Sequence, residues 1–185
     1  MTGGLVLAAG GSSRFGSPKQ LARLDGKPLL QHAIDAMTAV AEVDDVVVVL
    51  GAEHESVASE VALGRARAVV CPEWHRGQSA SVRCGLSALS ACDRVAVTLA
   101  DEPGVHASLI AAVLSVAGDG SVRATYAGRP GHPVVLGPDV LARAGELEGD
   151  QGFRDLLGDA RSFEAGELAD PHDIDTPQDL EKITP

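Results

Sequence analysis

Aromatic residues are scarce in this 185-residue chain: Phe15, Trp74, Tyr126, Phe153 and Phe163 are all it has. Its core must therefore be built from Val, Leu, Ile and Ala, which suits helices packed on parallel strands. Cysteine is scarce too. Cys71, Cys84 and Cys92 are odd in number and form no CxxC pair, so neither a disulfide framework nor a zinc knuckle is expected, and a reducing compartment is. Positive charge is in deficit, with 15 Lys and Arg against 26 Asp and Glu, a net charge of −11. That balance argues against gripping nucleic acid or an anionic membrane by bulk charge, so any anionic ligand must be held locally. No apolar run approaches the ~20 residues needed to cross a bilayer. No basic leader stands before Gly3-Gly4-Leu5-Val6-Leu7, and a cytoplasmic location is expected.

What the chain does have is alternation. Apolar runs at Gly4 to Ala8, Val46 to Leu50, Ala66 to Val70 and Arg94 to Ala100 lack a polar face, as strands buried on both sides do. Between or after them, Leu29 to Val40, His54 to Leu63, Ser79 to Ala91 and Ala107 to Ala117 carry apolar residues about one helical turn apart. The order predicts an α/β fold with a mostly parallel central sheet and helices on both faces. The last third adds shorter strand candidates at Val122 to Tyr126, Pro133 to Leu136 and Arg161 to Glu164. Helix candidates there are Pro138 to Ala144, Gly152 to Leu157 and Pro177 to Ile183. With no linker or repeat, residues 1–185 read as one domain.

In such folds ligands sit beyond the carboxyl ends of the strands. After the first strand comes Leu7-Ala8-Ala9-Gly10-Gly11-Ser12-Ser13-Arg14-Phe15-Gly16-Ser17-Pro18-Lys19. Glycines that admit backbone N–H groups, hydroxyl donors and two cations make a phosphate cradle; on residues alone, a glycine turn with two solvated cations fits equally. The stretch is neither a Walker loop nor GxGxxG. It resembles the LAAGxSxRxGxxK signature of the MobA-like nucleotidyltransferases, and among them the MocA-type molybdenum-cofactor cytidylyltransferases, over nearly the whole chain. The resemblance implies a Rossmann-like three-layer α/β/α fold of the nucleotide-diphospho-sugar transferase type. It also implies nucleotide binding by Leu7, Ala8, Ala9, Gly10, Gly11, Ser12 and Ser13, with Arg14 and Lys19 as catalytic cations.

Four further segments fit the same pattern. Arg76-Gly77-Gln78-Ser79-Ala80-Ser81 is similar to the segment bordering the nucleobase, implying contacts by Gln78, Ser79 and Ser81; helix capping alone is the competing reading. Leu99-Ala100-Asp101-Glu102-Pro103 is similar to the LxDxP segment, making Asp101 a catalytic Mg²⁺ ligand, with an N-cap of the next helix as the alternative. Glu102 departs from the family pattern there. Asp173-Ile174-Asp175-Thr176-Pro177-Gln178-Asp179 resembles the closing segment, implying Asp175 as the second metal ligand with Asp173 and Asp179 as helpers. Thr176-Pro177 also reads as a helix start. Gly128-Arg129-Pro130-Gly131-His132-Pro133-Val134 resembles the acceptor side, implying Arg129 and His132 there; a structural turn is the other reading of His132. Gly149 to Arg154 resembles a further loop near the acceptor. Trp74 reads as loop packing.

The resemblance thus implies Mg²⁺-dependent transfer of CMP from CTP to the terminal phosphate of molybdopterin, with release of pyrophosphate and delivery to a recipient molybdoenzyme. Neither nucleic acid nor membrane is an expected partner. Guanylyl transfer, another phosphorylated acceptor, or a binding module without turnover are the alternatives.

Overall fold

The computed structural model describes residues 1–12, 15–150, 152–153, 156–158, 160–169 and 174–183. Its elements in chain order are strand β1 (Thr2–Ala8), strands β2 (Arg23–Leu24) and β3 (Lys27–Pro28), helix α1 (Leu29–Thr38), β4 (Asp45–Leu50), α2 (His54–Ser59), β5 (Ala66–Val70), α3 (Gln78–Ala88) and β6 (Arg94–Leu99). There follow α4 (Ala107–Ala117), β7 (Val122–Tyr126), β8 (Arg129–Leu136), α5 (Pro138–Ala142), β9 (Arg161–Glu164) and α6 (Pro177–Ile183).

The four apolar runs are four parallel strands as expected, but β5, at the edge of the sheet, is largely exposed rather than buried on both faces. They form one side of a seven-stranded sheet in the order β5-β4-β1-β6-β8-β7-β9, with β1 between β4 and β6 in parallel register. Successive β1 residues serve opposite faces. Val6 and Ala8 join Val46, Val48 and Leu50 under α1 and α4, while Leu5 and Leu7 join Val47, Val49, Val95 and Val97 under α3 and α5. Three layers result, and the fold is α/β with a mixed, mostly parallel sheet.

The departure from parallel order is β8, which runs antiparallel to both β6 and β7. Its cause is local. Ala127 and Gly128 both have positive φ, 50° and 76°, and a two-residue turn of that kind folds the chain straight back beside β7. Strand β8 is also longer than expected, starting at Arg129 rather than Pro133.

Two other expectations need correction, and one ribbon was not foreseen. The helix from His54 stops at Ser59, short of Leu63, before Gly64 with its positive φ of 57°. Phe153 and residues 156–158 form turns rather than the expected helix; Arg154 lies outside the described residues. Strands β2 and β3, which the apolar pattern did not reveal, pair antiparallel around Asp25 and Gly26 at φ 51° and 76°. Among the described residues, no helix is long and apolar enough to cross a membrane.

Candidate functional site

Strands β1 and β6 end side by side, and the Ala100 amide donates to the Leu7 carbonyl at 3.1 Å. This places the glycine loop after β1 against Asp101. The loop is closed on itself by Gln20, only 5% exposed. The Gln20 amide nitrogen donates to the carbonyls of Ala8 and Gly10, both at 2.8 Å, and its oxygen accepts from Ser12 Oγ at 3.1 Å. Ser12 Oγ in turn accepts from the Lys19 amide at 2.9 Å. Ser12 can reach inward because its backbone is left-handed, φ 50°. Its hydroxyl is thus engaged within the loop. Ser13 and Arg14, two of the expected anion-binding residues, lie outside the described residues.

Lys19 is the centre of the arrangement. Its Nζ lies 2.5 Å from Asp101 Oδ2 and 3.1 Å from Asp175 Oδ1. Burial works against the ammonium charge, but the charges and hydrogen bonds of Asp101 and Asp175 outweigh it and hold the Lys19 pKa above the usual lysine value. Asp175 is brought in from 156 residues away by Ile174, which is wholly buried and whose amide donates to the Asp101 carbonyl at 3.1 Å. These groups, with Leu7, Ala8, Gly10 and Phe15, line a hollow of about 190 Å³.

Asp101 does not cap α4. That position belongs to His106, whose Nδ1 accepts from the Leu109 amide at 3.3 Å, leaving the Asp101 carboxylate turned to Lys19. Asp179 instead serves the start of α6, where its Oδ2 accepts from both the amide and the hydroxyl of Thr176 at 3.0 and 2.8 Å. Asp173 lies outside the described residues. Two carboxylate oxygens converging on one cation are a donor set that Mg²⁺ or Mn²⁺ accepts, with phosphate oxygens and water completing the shell. The residues fit a divalent ion on that ground.

A second hollow, about 420 Å³, shares Leu7, Gly10 and Asp101 with the first and extends over Ala9, Gly11, Trp74, Gln78, Ser81 and Asp150. Gln78 and Ser81 stand three apart on α3 and so share a face. Ser79 is turned away: it is 1% exposed, does not line the hollow, and its buried hydroxyl has no partner. Capping does not explain these residues, since α3 starts after Gly77 without a side-chain cap. Instead the Ser79 amide donates to the Gly149 carbonyl at 3.1 Å, which holds the Gly149–Asp150 turn over the hollow. Trp74 does pack as expected, its ring filling the space that a Gly11 side chain would take. It also walls the hollow, a role that its being the single tryptophan, in the loop after a strand, could have signalled.

The third hollow, about 340 Å³, joins Gln78 to Arg123, His132, Val134, Phe153 and Leu157. His132 lines it, whereas Arg129 is exposed and does not. Strand alternation explains the substitution. Arg123 faces Val134 across the β7–β8 ladder, and its buried Nε has no partner. Glu102 is 5% exposed, and its Oε1 lies 2.9 Å from His132 Nδ1. Tyr126 donates to the His132 carbonyl at 2.5 Å, and burial, with the charges of Glu102 and Glu164, pushes its phenol pKa well up. Thus Glu102, left without a role by the sequence, braces His132.

Residues 4–165 match the profile of the MobA-like NTP transferase domain. Nicotine blue oxidoreductase of Paenarthrobacter nicotinovorans is 32% identical over 164 residues, covering 83% of this chain and 80% of that protein. Among solved structures, Rv0371c of Mycobacterium tuberculosis H37Rv superposes with a TM-score of 0.86 at 28% identity, covering 98% of this chain and 96% of the other. Rv0371c in complex with manganese superposes at 0.76 and 26%, covering 98% and 97%.

Proposed function

The chain belongs to the MobA-like NTP transferase domain family, and on that footing we propose that it moves CMP from CTP to the terminal phosphate of a molybdopterin-type acceptor. An acceptor phosphate oxygen attacks the α-phosphorus, the bond to the β-phosphate breaks, and pyrophosphate leaves. The acceptor is ionised at neutral pH, so no general base is needed, and the task is alignment and charge neutralisation. The observation that carries the reading is the convergence of Lys19, Asp101 and Asp175 beside the glycine loop.

In this reading Lys19 and Arg14 neutralise the triphosphate, and the amides around Gly10 to Ser13 hold its oxygens. Gln78 and Ser81 meet the cytosine edge while Trp74 supports its face. The third hollow takes the acceptor, with His132 and Arg123 toward its phosphate and Phe153 and Leu157 along its ring system. Asp101 and Asp175 would hold Mg²⁺ or Mn²⁺, which supplies charge neutralisation at the α-phosphate when bound. The manganese complex of Rv0371c supports a divalent ion.

The test is pyrophosphate release from CTP, GTP, ATP and UTP in turn, with Mg²⁺ and molybdopterin, then with phosphosugars or methylerythritol phosphate. CTP is expected to be used at least tenfold faster than the others, the range one well-placed polar contact supplies. Equal use of all four defeats the cytosine assignment, and binding without product favours a carrier module. A second reading comes from the name of the Paenarthrobacter relative, a redox activity. Oxidation of NADPH or NADH by nicotine blue, in the same preparation and without any NTP, would favour it.

A further inference from the structure

Two carboxylates and one ammonium share a point in this site. Lys19 Nζ is within hydrogen-bond reach of both acids, and the three side chains are 17%, 22% and 45% exposed for Lys19, Asp101 and Asp175. We propose that Lys19 is the internal counter-cation of the carboxylate pair: it occupies the place of the divalent ion until that ion arrives, and is then handed to the triphosphate. Metal and nucleotide are therefore taken up together. The inference rests on the reading of Asp101 and Asp175 as the metal-holding pair.

Two partly buried carboxylates aimed at one point repel each other, and each disfavours ionisation of the other unless a cation intervenes. The ammonium removes that repulsion, so an arriving ion must displace it and gains less than it would at an empty carboxylate pair. The displaced ammonium, still in a largely enclosed position, is left without an anion and so favours a phosphate oxygen in the adjoining hollow. Lys19 is built for such an exchange. Its backbone amide is fixed on Ser12 Oγ at 2.9 Å, while its four-carbon stem is flexible and its charge is a compact point. Gly10 and Ser12, at the phosphate-cradle end, line the same hollow as its ammonium. The coupling is reciprocal: what nucleotide does for metal, metal does for nucleotide.

The experiment uses the whole chain and Mn²⁺ alone, followed by the electron paramagnetic resonance of the free ion. Lys19→Met is expected to bind Mn²⁺ about tenfold or more tightly than the wild type, within the usual range of coupling between sites. Equal or weaker binding by Lys19→Met overturns the proposal. A second arm needs no variant: the Lys19 amine of the wild type is acylated with an N-hydroxysuccinimide ester and quantified by peptide mass spectrometry. Mn²⁺ alone is expected to raise Lys19 modification several-fold, and CTP added under excess Mn²⁺ to suppress it again. Modification unmoved by saturating Mn²⁺ overturns the proposal. If the double variant Lys19→Met, Asp101→Asn binds Mn²⁺ as tightly as Lys19→Met does, the ion sits elsewhere. That result removes the reading of the carboxylate pair itself, and so is distinct from failure of the exchange.

Discussion

Gln20 shows how one buried amide can decide the shape of a loop. Its side chain holds the carbonyls of Ala8 and Gly10 and the hydroxyl of Ser12 at once. Gln20→Ala leaves those groups without their partner, at a cost of about 1–3 kcal/mol, to be read from the midpoint of urea unfolding. Nucleotide turnover is expected to fall further than stability alone would require, with a raised KM for the triphosphate. A Gln20→Ala enzyme with unchanged KM would separate the loop's shape from phosphate binding. Asp101 was legible because a carboxylate directly after an apolar strand stands at the ligand-binding edge, whereas Lys19 and Asp175 stood out through the resemblance of their segments to family motifs. Gln20 was not, since an uncharged residue next to a conspicuous lysine gives no sign of pointing inward. Cys84 behaves in the opposite sense to a reactive thiol. Burial, followed by the neighbouring Cys71, pushes its pKa up to about 11. The thiol rather than the thiolate prevails at neutral pH, and only the thiolate is nucleophilic. Alkylation of Cys84 by iodoacetamide, followed by mass spectrometry, is expected to stay slow at pH 8 and to accelerate through about pH 11 rather than the usual 8.5.

At the scale of elements, α3 carries the argument because it forms one wall of the second hollow and packs on the sheet. Gly85 faces β1 and β4 so closely that a Cβ there would lie 2.4 Å from Leu5 Cδ1 and 2.8 Å from Val49 Cγ2. A glycine inside a helix costs about 1 kcal/mol against alanine in an open position, yet here the added methyl has nowhere to go. Gly85→Ala is expected to destabilise by about 1–3 kcal/mol through overpacking, with KM for the nucleotide raised as the wall bearing Gln78 and Ser81 shifts. A stabilised Gly85→Ala protein in thermal melts would refute this account. The helical period of residues 79–91 disclosed the helix but not this approach, because periodicity gives a face and not a distance. Likewise the apolar runs disclosed β1, β4, β5 and β6 nearly to the residue. The β2–β3 ribbon escaped because its strands are two residues each. Its Asp25-Gly26 turn is itself a hairpin signal.

Across the whole molecule, the site depends on contacts that only the closed fold makes. A chain with net charge −11 repels polyphosphates at long range, so its affinity must come from cations within a few ångströms, and Lys19 is offset by Asp101 and by Asp175 from the far end of the sequence. Strand β8, inserted antiparallel between β6 and β7, brings His132 to the third hollow. The sequence assigned this strand no direction, because direction depends on the backbone conformation of Ala127 and Gly128 rather than on hydrophobic pattern. Asp175 depends on Ile174, a fully buried residue whose side chain anchors the segment and whose amide holds Asp101. Ile174→Ala should therefore act at two ranges. Loss of buried volume costs about 2–5 kcal/mol, measurable by chemical denaturation. The loosened anchor also lets Asp175 leave Lys19, so Mn²⁺ binding should weaken even where the protein is fully folded. Asp175→Asn should reproduce the loss of metal with little loss of stability, since its carboxylate is 45% exposed and exposed ion pairs contribute no more than about 1 kcal/mol. Unaltered Mn²⁺ affinity in folded Ile174→Ala would mean that the far end of the chain reaches the site without this anchor.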